Sequence, residues 1–277
     1  MGLLDGKVAI ITGAGGGLGR AYSVLLAREG AAIVVNDMNA DAAGGVVSEI
    51  VHAGGRAVPC VGDVSCPDAG AAILKAALDA FGAVDILVNN AGILRDRSFA
   101  NLSEAHWDAV IQVHLKGAFC VTQPVFRWMK ETGRGGVIVN TASSSGLGGS
   151  FGQTNYGAAK AGVWGFSNCL ALEGAKYGIR VWTLCPAAAT SMTQGVMTPE
   201  MAAAWSPERV APVVLYMVSA LSGERTNRTL FASGSKVMEL KMISGAPLPN
   251  HAGLSAQDIA AAAGTLFAPA HAIDFNG

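Results

Sequence analysis

Val8-Ala9-Ile10-Ile11-Thr12-Gly13-Ala14-Gly15-Gly16-Gly17-Leu18-Gly19 is a short apolar run that stops on a glycine-rich turn, and residues of helical composition follow it to about Gly30. β-Branched residues bounded by glycine favour a strand, so the stretch predicts strand, turn and helix in direct succession. In that context the glycines let the backbone approach a bound pyrophosphate. The first turn of the helix presents N–H groups that have no partner within it, and these attract anions. The run fits T-G-x-x-x-G-x-G through Gly13, Gly17 and Gly19, and equally G-x-x-G-x-x-G through Gly13, Gly16 and Gly19. Spacing alone leaves the subclass open.

The same alternation continues outward. Ala32 to Asn36, Ala57 to Val61, Ile86 to Asn89, Val137 to Thr141 and Val181 to Cys185 are strand-like runs separated by stretches of helical length. Repeated β-α-β units predict a parallel sheet covered by helices on both faces. Asp37 ends the second run, a little over twenty residues past the turn, where a carboxylate accepts from an adenosine ribose and repels a 2′-phosphate. This favours NAD over NADP, against the counter-signal of Arg20, whose guanidinium lies close to the turn but inside the helix. Asp63 and Val64 follow the third run, either flanking the adenine or simply forming a turn. From Ser244 the composition shifts to Ala, Pro and Gly, so residues 1–243 are expected to form one catalytic domain and residues 244–277 a tail packed on the body or on a neighbouring subunit.

A chain of 277 residues with 51% hydrophobic content and a formal net charge of -1 can bury a large core. With 14% charged residues and no basic run, it is not expected to bind nucleic acid or an anionic membrane, and a small molecule is the expected partner. The first apolar run is preceded by Asp5 and ends at Gly13, too short for a membrane span. Cys60, Cys66, Cys120, Cys169 and Cys185 are odd in number, dispersed and without metal-ligand spacing. They read as reduced residues in a cytoplasmic protein that holds no metal.

Tyr156 and Lys160 lie four residues apart on a predicted helix, which puts both side chains on one face. The field of an ammonium stabilises a phenolate, so Lys160 is expected to draw the Tyr156 pKa down from its usual value near 10. The other tyrosines, Tyr22, Tyr177 and Tyr216, are followed at that spacing by Leu26, Val181 and Ala220. Tyr156 alone has the partner, which makes it the candidate general base.

Four features occur in order: the glycine turn, Asn89-Asn90-Ala91-Gly92, Asn140-Thr141-Ala142-Ser143, and Tyr156 with Lys160. Over roughly residues 5 to 245 the chain resembles the short-chain dehydrogenase/reductase family. The resemblance implies a Rossmann fold with sheet order 3-2-1-4-5-6-7 and an active site at the carboxyl ends of the strands. It implies catalysis by Ser143, thirteen residues before the tyrosine, with Tyr156 and Lys160, and leaves Ser144 and Ser145 as loop residues. It implies cofactor contacts from Gly13, Gly17, Leu18, Gly19, Asp37, Asp63, Val64, Asn90, Ala91, Gly92, Pro186, Ala188 and Thr190, besides Tyr156 and Lys160. The glycine usual after the proline is Ala187 here, and His114 stands where the family has a catalytic asparagine.

Gly92-Ile93-Leu94-Arg95-Asp96-Arg97-Ser98-Phe99, Val113-His114-Leu115-Lys116-Gly117, Phe151-Gly152-Gln153 and Ser191-Met192-Thr193-Gln194 resemble the (3R)-hydroxyacyl-CoA dehydrogenase unit of peroxisomal multifunctional enzymes, grouped also with 17β-hydroxysteroid dehydrogenases. The histidine belongs to that branch. The implied activity is NAD-dependent oxidation of a 3-hydroxyacyl thioester or a steroid alcohol, with Arg95 and Arg97 facing the CoA phosphates or pairing with Asp96 or Glu104. Met192 to Ser206 would form a lid. The long helices carrying His114 and Tyr156 are expected to pack on their copies as a homodimer or homotetramer. Other readings are an aryl or aliphatic secondary alcohol as substrate, a sugar-nucleotide epimerase or dehydratase, and a non-catalytic NAD(H)-binding protein.

Overall fold

The structure is a computed structural model that describes residues 2–190, 198–243 and 253–267. Its first half alternates regularly: β1 (Val8–Thr12), α1 (Gly17–Arg28), β2 (Ala32–Asp37), α2 (Ala40–His52), β3 (Arg56–Val61), α3 (Ala69–Phe81) and β4 (Ile86–Asn89). There follow α4 (Glu104–Ile111), a π-helical turn (Gln112–Lys116) and α5 (Gly117–Thr132), joined end to end. Then come β5 (Gly136–Thr141), the short α6 (Ser145–Gly148), α7 (Thr154–Gly174), β6 (Ile179–Ala187), α8 (Pro199–Ala204), α9 (Ala211–Val218), β7 (Arg228–Ser233) and β8 (Lys236–Leu240).

The sheet order is β3-β2-β1-β4-β5-β6-β7-β8, with parallel pairing from β3 across to β7. This is the expected doubly wound order with one strand added at the edge. β8 follows β7 after only Gly234 and Ser235, a connection of hairpin length.

Each strand feeds two cores because successive side chains point to opposite faces of a sheet. Ala9, Ile11, Ile33, Val35, Ile86 and Val88 pack on one face with Tyr22 and Leu26 of α1, Val46 and Ile50 of α2, and Val214 and Met217 of α9. Val8, Ile10, Ala32, Val34 and Leu87 pack on the other with Ile73 of α3, Val121, Val125 and Met129 of α5, and Leu170 of α7. Every residue of β1 and β4 is buried, and each fully buried large aliphatic side chain contributes about 1.5–3 kcal/mol. The sheet is therefore a rigid floor, and the loops at its carboxyl edge are held in fixed places.

Contacts divide the chain into two compact units, Met1–Glu239 and Leu240–Gly277. Within the second, α10 (Ala256–Ala261) and α11 (Ala263–Leu266) are short, and a reciprocal Ser255–Asp258 capping box starts α10. Residues 244–252 and 268–277 of the expected tail lie outside the described residues. Among those described, no helix is long and apolar enough to cross a membrane, no group of side chains could hold a metal ion, and the five cysteines are free.

Candidate active site

At the carboxyl edge of β1 and β4 the glycine turn is locked from below. Asn90 Nδ2 donates to the carbonyls of Thr12 (3.0 Å) and Gly13 (3.1 Å), and Thr12 Oγ1 accepts from the N–H groups of Asn90 and Ala91 (3.0 and 3.1 Å). Gly19 must be glycine here, since a Cβ would lie 2.2 Å from the Gly13 carbonyl oxygen. The 12-residue helix α1 begins at Gly17 with Gly16 as an N-cap that supplies no side-chain acceptor. Its first N–H groups therefore remain available to a ligand anion, with the helix dipole adding to their pull. A turn stripped of Cβ atoms in front of an uncapped helix fits the pyrophosphate of a dinucleotide.

The adenosine end is defined by Asp37. Its carboxylate accepts from the N–H groups of Gly15 (2.9 Å) and Asn39 (3.0 Å), which fixes it beside the turn. Arg20 is held away, with Nε and one terminal nitrogen on the two Glu49 oxygens (2.8 and 2.7 Å) and the other 3.5 Å from Glu208. Asp63 and Val64 do not line this cleft. Asp63 Oδ1 accepts from the backbone and hydroxyl of Ser65 (2.9 and 2.8 Å), the turn alternative, and Val64 is buried.

Gly13, Gly17, Leu18 and Asp37 line one end of a single cleft of about 470 Å³, and Ser143, Tyr156 and Lys160 line the other. Asn90, Ala91 and Gly92 form the floor between them. Pro186, Ala188 and Thr190 form a wall, with Thr190 Cγ2 close against Gly17 and Ala189 N–H donating to the Trp205 carbonyl at 2.7 Å. Trp205 reaches the cleft, whereas Met192 and Met197 of the expected lid lie outside the described residues.

α7 presents the reacting pair. Asn155 Oδ1 accepts from Tyr156 N–H (2.8 Å), while its Nδ2 donates to the carbonyls of Arg95 (3.1 Å) and His106 (3.2 Å), tying the start of α7 to the loop after β4 and to α4. One turn on, Lys160 is 3% exposed, donates to the Thr141 carbonyl at 2.6 Å and sits 5.5 Å from the Tyr156 ring centroid. Burial pushes the Tyr156 phenol up to about 12; the nearby Ser143 hydroxyl opposes this, and Asp96 and Cys185 reinforce it. The same burial brings Lys160 down to about 7. The downward shift expected from spacing is thus reversed, because desolvation of the phenol outweighs the field of an ammonium that is itself half discharged near neutrality. A phenol, a hydroxyl and an ammonium in one cleft can still pass a proton to or from a bound alcohol oxygen.

His114 is buried under the floor, its ring edge-on to Tyr156 with centroids 5.1 Å apart. Burial first, and the Lys160 charge second, lower its pKa to about 3, so the imidazole is neutral. Its Nε2 lies 3.0 Å from Ile93 N and 2.8 Å from Ile93 O, and a Cβ on Gly92 would fall 2.3 Å from its Cε1. His114 holds the loop after β4 in place. The π turn that carries it leaves no mark in the spacing of apolar residues. Ser144, Ser145 and Gln153 also line the cleft, and sequence reasoning missed them as site residues; the position of Gln153 three residues before Tyr156, at the mouth of α7, was the available signal.

Residues 7–201 match the family described as short chain dehydrogenase. The peroxisomal multifunctional enzyme type 2 of Mus musculus is 46% identical over 222 residues, which are 77% of this chain and 30% of that protein. This chain thus spans less than a third of that relative. A hydroxyacyl-CoA dehydrogenase of Mycobacterium tuberculosis is 39% identical over 252 residues, 84% of this chain and 79% of the other. Among solved structures, a short chain dehydrogenase from Mycobacterium avium superposes with a TM-score of 0.86 at 38% identity, covering 96% of each chain.

Proposed function

Because this chain belongs to the short-chain dehydrogenase/reductase family of nicotinamide-dependent oxidoreductases, we propose that it oxidises a secondary alcohol with NAD, the alcohol being a 3-hydroxyacyl-CoA or a hydroxysteroid. The observation that carries this reading is that Tyr156 and Ser143 share one cleft with the glycine turn and Asp37. A nicotinamide held by the glycine turn and Asp37 would supply the hydride acceptor for the carbinol carbon. Tyr156 takes the hydroxyl proton as the C–O bond becomes a carbonyl, and Ser143 hydrogen-bonds the same oxygen as its charge changes. Lys160, anchored on Thr141, would hold the nicotinamide ribose and, in its protonated form, would supply positive charge near the phenol.

NAD rather than NADP is supported by Asp37, since a 2′-phosphate would meet its fixed carboxylate while Arg20 is occupied by Glu49 and Glu208. Asp37→Ala is expected to lower the NAD-over-NADP ratio of kcat/KM by tenfold or more with little change in Tm. An unchanged ratio would reject the assignment.

The acyl-CoA alternative is supported by the named Mycobacterium tuberculosis relative and by two arginines. Arg95 and Arg97 donate to the Leu94 and Asp96 backbone carbonyls (2.7 and 2.8 Å) and, among the described residues, form no ion pair with Asp96 or Glu104. Their charges remain available to phosphates. The test is a reduced-nicotinamide absorbance screen of 3-hydroxyacyl thioesters, steroid alcohols and simple secondary alcohols, with NAD and NADP side by side; no turnover in any arm would sink the enzymatic reading. The five free thiols fit a reducing, cytoplasm-like compartment.

The assembly we propose is a homodimer or homotetramer built on α4, α5 and α7, which expose Trp107, Phe119 (47%) and Leu172 (74%). Sedimentation at micromolar concentration should give at least a dimer, and a monomer would reject it.

A further inference from the structure

Gln153 has an amide fixed at both ends. Its Nε2 donates to Asp96 Oδ2 at 2.7 Å, and its Oε1 accepts from Ser145 Oγ at 2.9 Å. A carboxylate only accepts, so the nitrogen must face Asp96 and the amide has one orientation. That nitrogen carries two hydrogens. One is spent on Asp96; the other has no partner among the described residues, on a side chain that lines the cleft.

The position of this donor is tied to the chemistry. Ser145 N–H donates to Ser143 Oγ at 3.2 Å, so Ser145 joins the Gln153 amide through its hydroxyl to the Ser143 hydroxyl through its backbone. The spare N–H is therefore held at a set offset from the group that bonds the reacting oxygen. The described hydrogen bonds do not need it, and the reaction above does not use it.

We propose that Gln153 is a specificity-determining residue that donates to a second substrate oxygen, the acyl carbonyl two carbons from the reacting carbinol. This rests on the dehydrogenase reading above and deepens it. The site selects β-hydroxyacyl groups over isolated secondary alcohols and over ring alcohols surrounded by hydrocarbon. A site built to hydrogen-bond a substrate group discriminates strongly against analogues that lack it, because its own polar group is then left unpaired.

The test uses the full chain with NAD and two probes on the same pantetheine carrier, the 3-hydroxybutyryl thioester and the 3-hydroxybutyl thioether, which lacks only the carbonyl. The wild type should prefer the thioester, and Gln153→Leu should reduce kcat/KM for the thioester by roughly tenfold to a hundredfold while leaving the thioether unchanged. If the wild type turns over no thioether, the carbonyl requirement is already met and the loss on the thioester is the readout. Equal wild-type rates on both probes, or equal losses on both in the variant, overturn the inference and leave the dehydrogenase reading standing. A wild type active on neither probe but active on a steroid alcohol overturns the inference together with the acyl-CoA alternative. Ser145→Ala, which frees the amide without removing it, should give a smaller selective loss and serves if Gln153→Leu does not fold.

Discussion

Tyr156→Phe is expected to reduce kcat for alcohol oxidation by about a thousandfold, within the 10²–10⁴ typical of a positioned acid/base group, while NADH affinity and Tm stay near wild type. The phenol lines the cleft beside Ser143, whereas the fold at this point is held by Asn155 and by the buried face of α7. The ring survives the substitution and only the hydroxyl, with its exchangeable proton, is lost. The pH dependence follows from the raised phenol. Oxidation needs the phenolate, and with the pKa near 12 the phenolate is scarce at pH 7 and grows tenfold per pH unit. Accordingly kcat/KM for oxidation should climb with pH, and that for ketone reduction, which uses the phenol, should lack this rise. Stopped-flow or steady-state profiles in both directions check it. A phenylalanine variant retaining a tenth of wild-type turnover would remove Tyr156 from the chemistry.

Lys160→Met is expected to abolish useful turnover and, at pH 6, to raise Tm. Lys160 is buried, and its pKa of about 7 in the fold lies below the ordinary 10.5. At about 1.4 kcal/mol per pKa unit this is a cost of roughly 5 kcal/mol, present in full below pH 7 where both folded and unfolded chains are protonated. Between pH 7 and 10.5 the unfolded chain holds the extra proton, so wild-type stability rises with pH and the cost disappears. Losing the hydrogen bond to Thr141 offsets about 1–3 kcal/mol of the gain. The methionine variant should therefore be the more stable protein in acid and lose that advantage by about pH 10. Denaturant titrations at pH 6 and 10 measure the crossing, and a variant less stable at pH 6 would contradict the account.

Much of the fold was legible because its signals are local. The six β-branched runs became β1 to β6, and the turn from Thr12 to Gly19 sits where a strand hands over to a helix. Tyr156 and Lys160 were readable for the same reason, since helical spacing alone brings them together. What was hidden depends on contacts distant in sequence or on burial. Asp96 reaches Gln153 across 57 residues, and no periodicity announces such a pair. The direction of the Tyr156 shift was misread because spacing reveals the ammonium but not the desolvation that dominates it. β8 escaped because Lys236 to Glu239 are exposed on an edge and carry no buried face to read.

The π turn at Gln112–Lys116 acts as a phase shifter in an otherwise continuous rod. A wider turn spends an extra residue on one revolution, so everything downstream is rotated against what lies upstream relative to a regular helix. His114 faces the interior beside Tyr156 while Phe119, five residues on, faces outside. The wide turn thereby sets the angle at which α5 leaves α4, with a buried ring beside Tyr156 on one side of that joint and an exposed ring on the other.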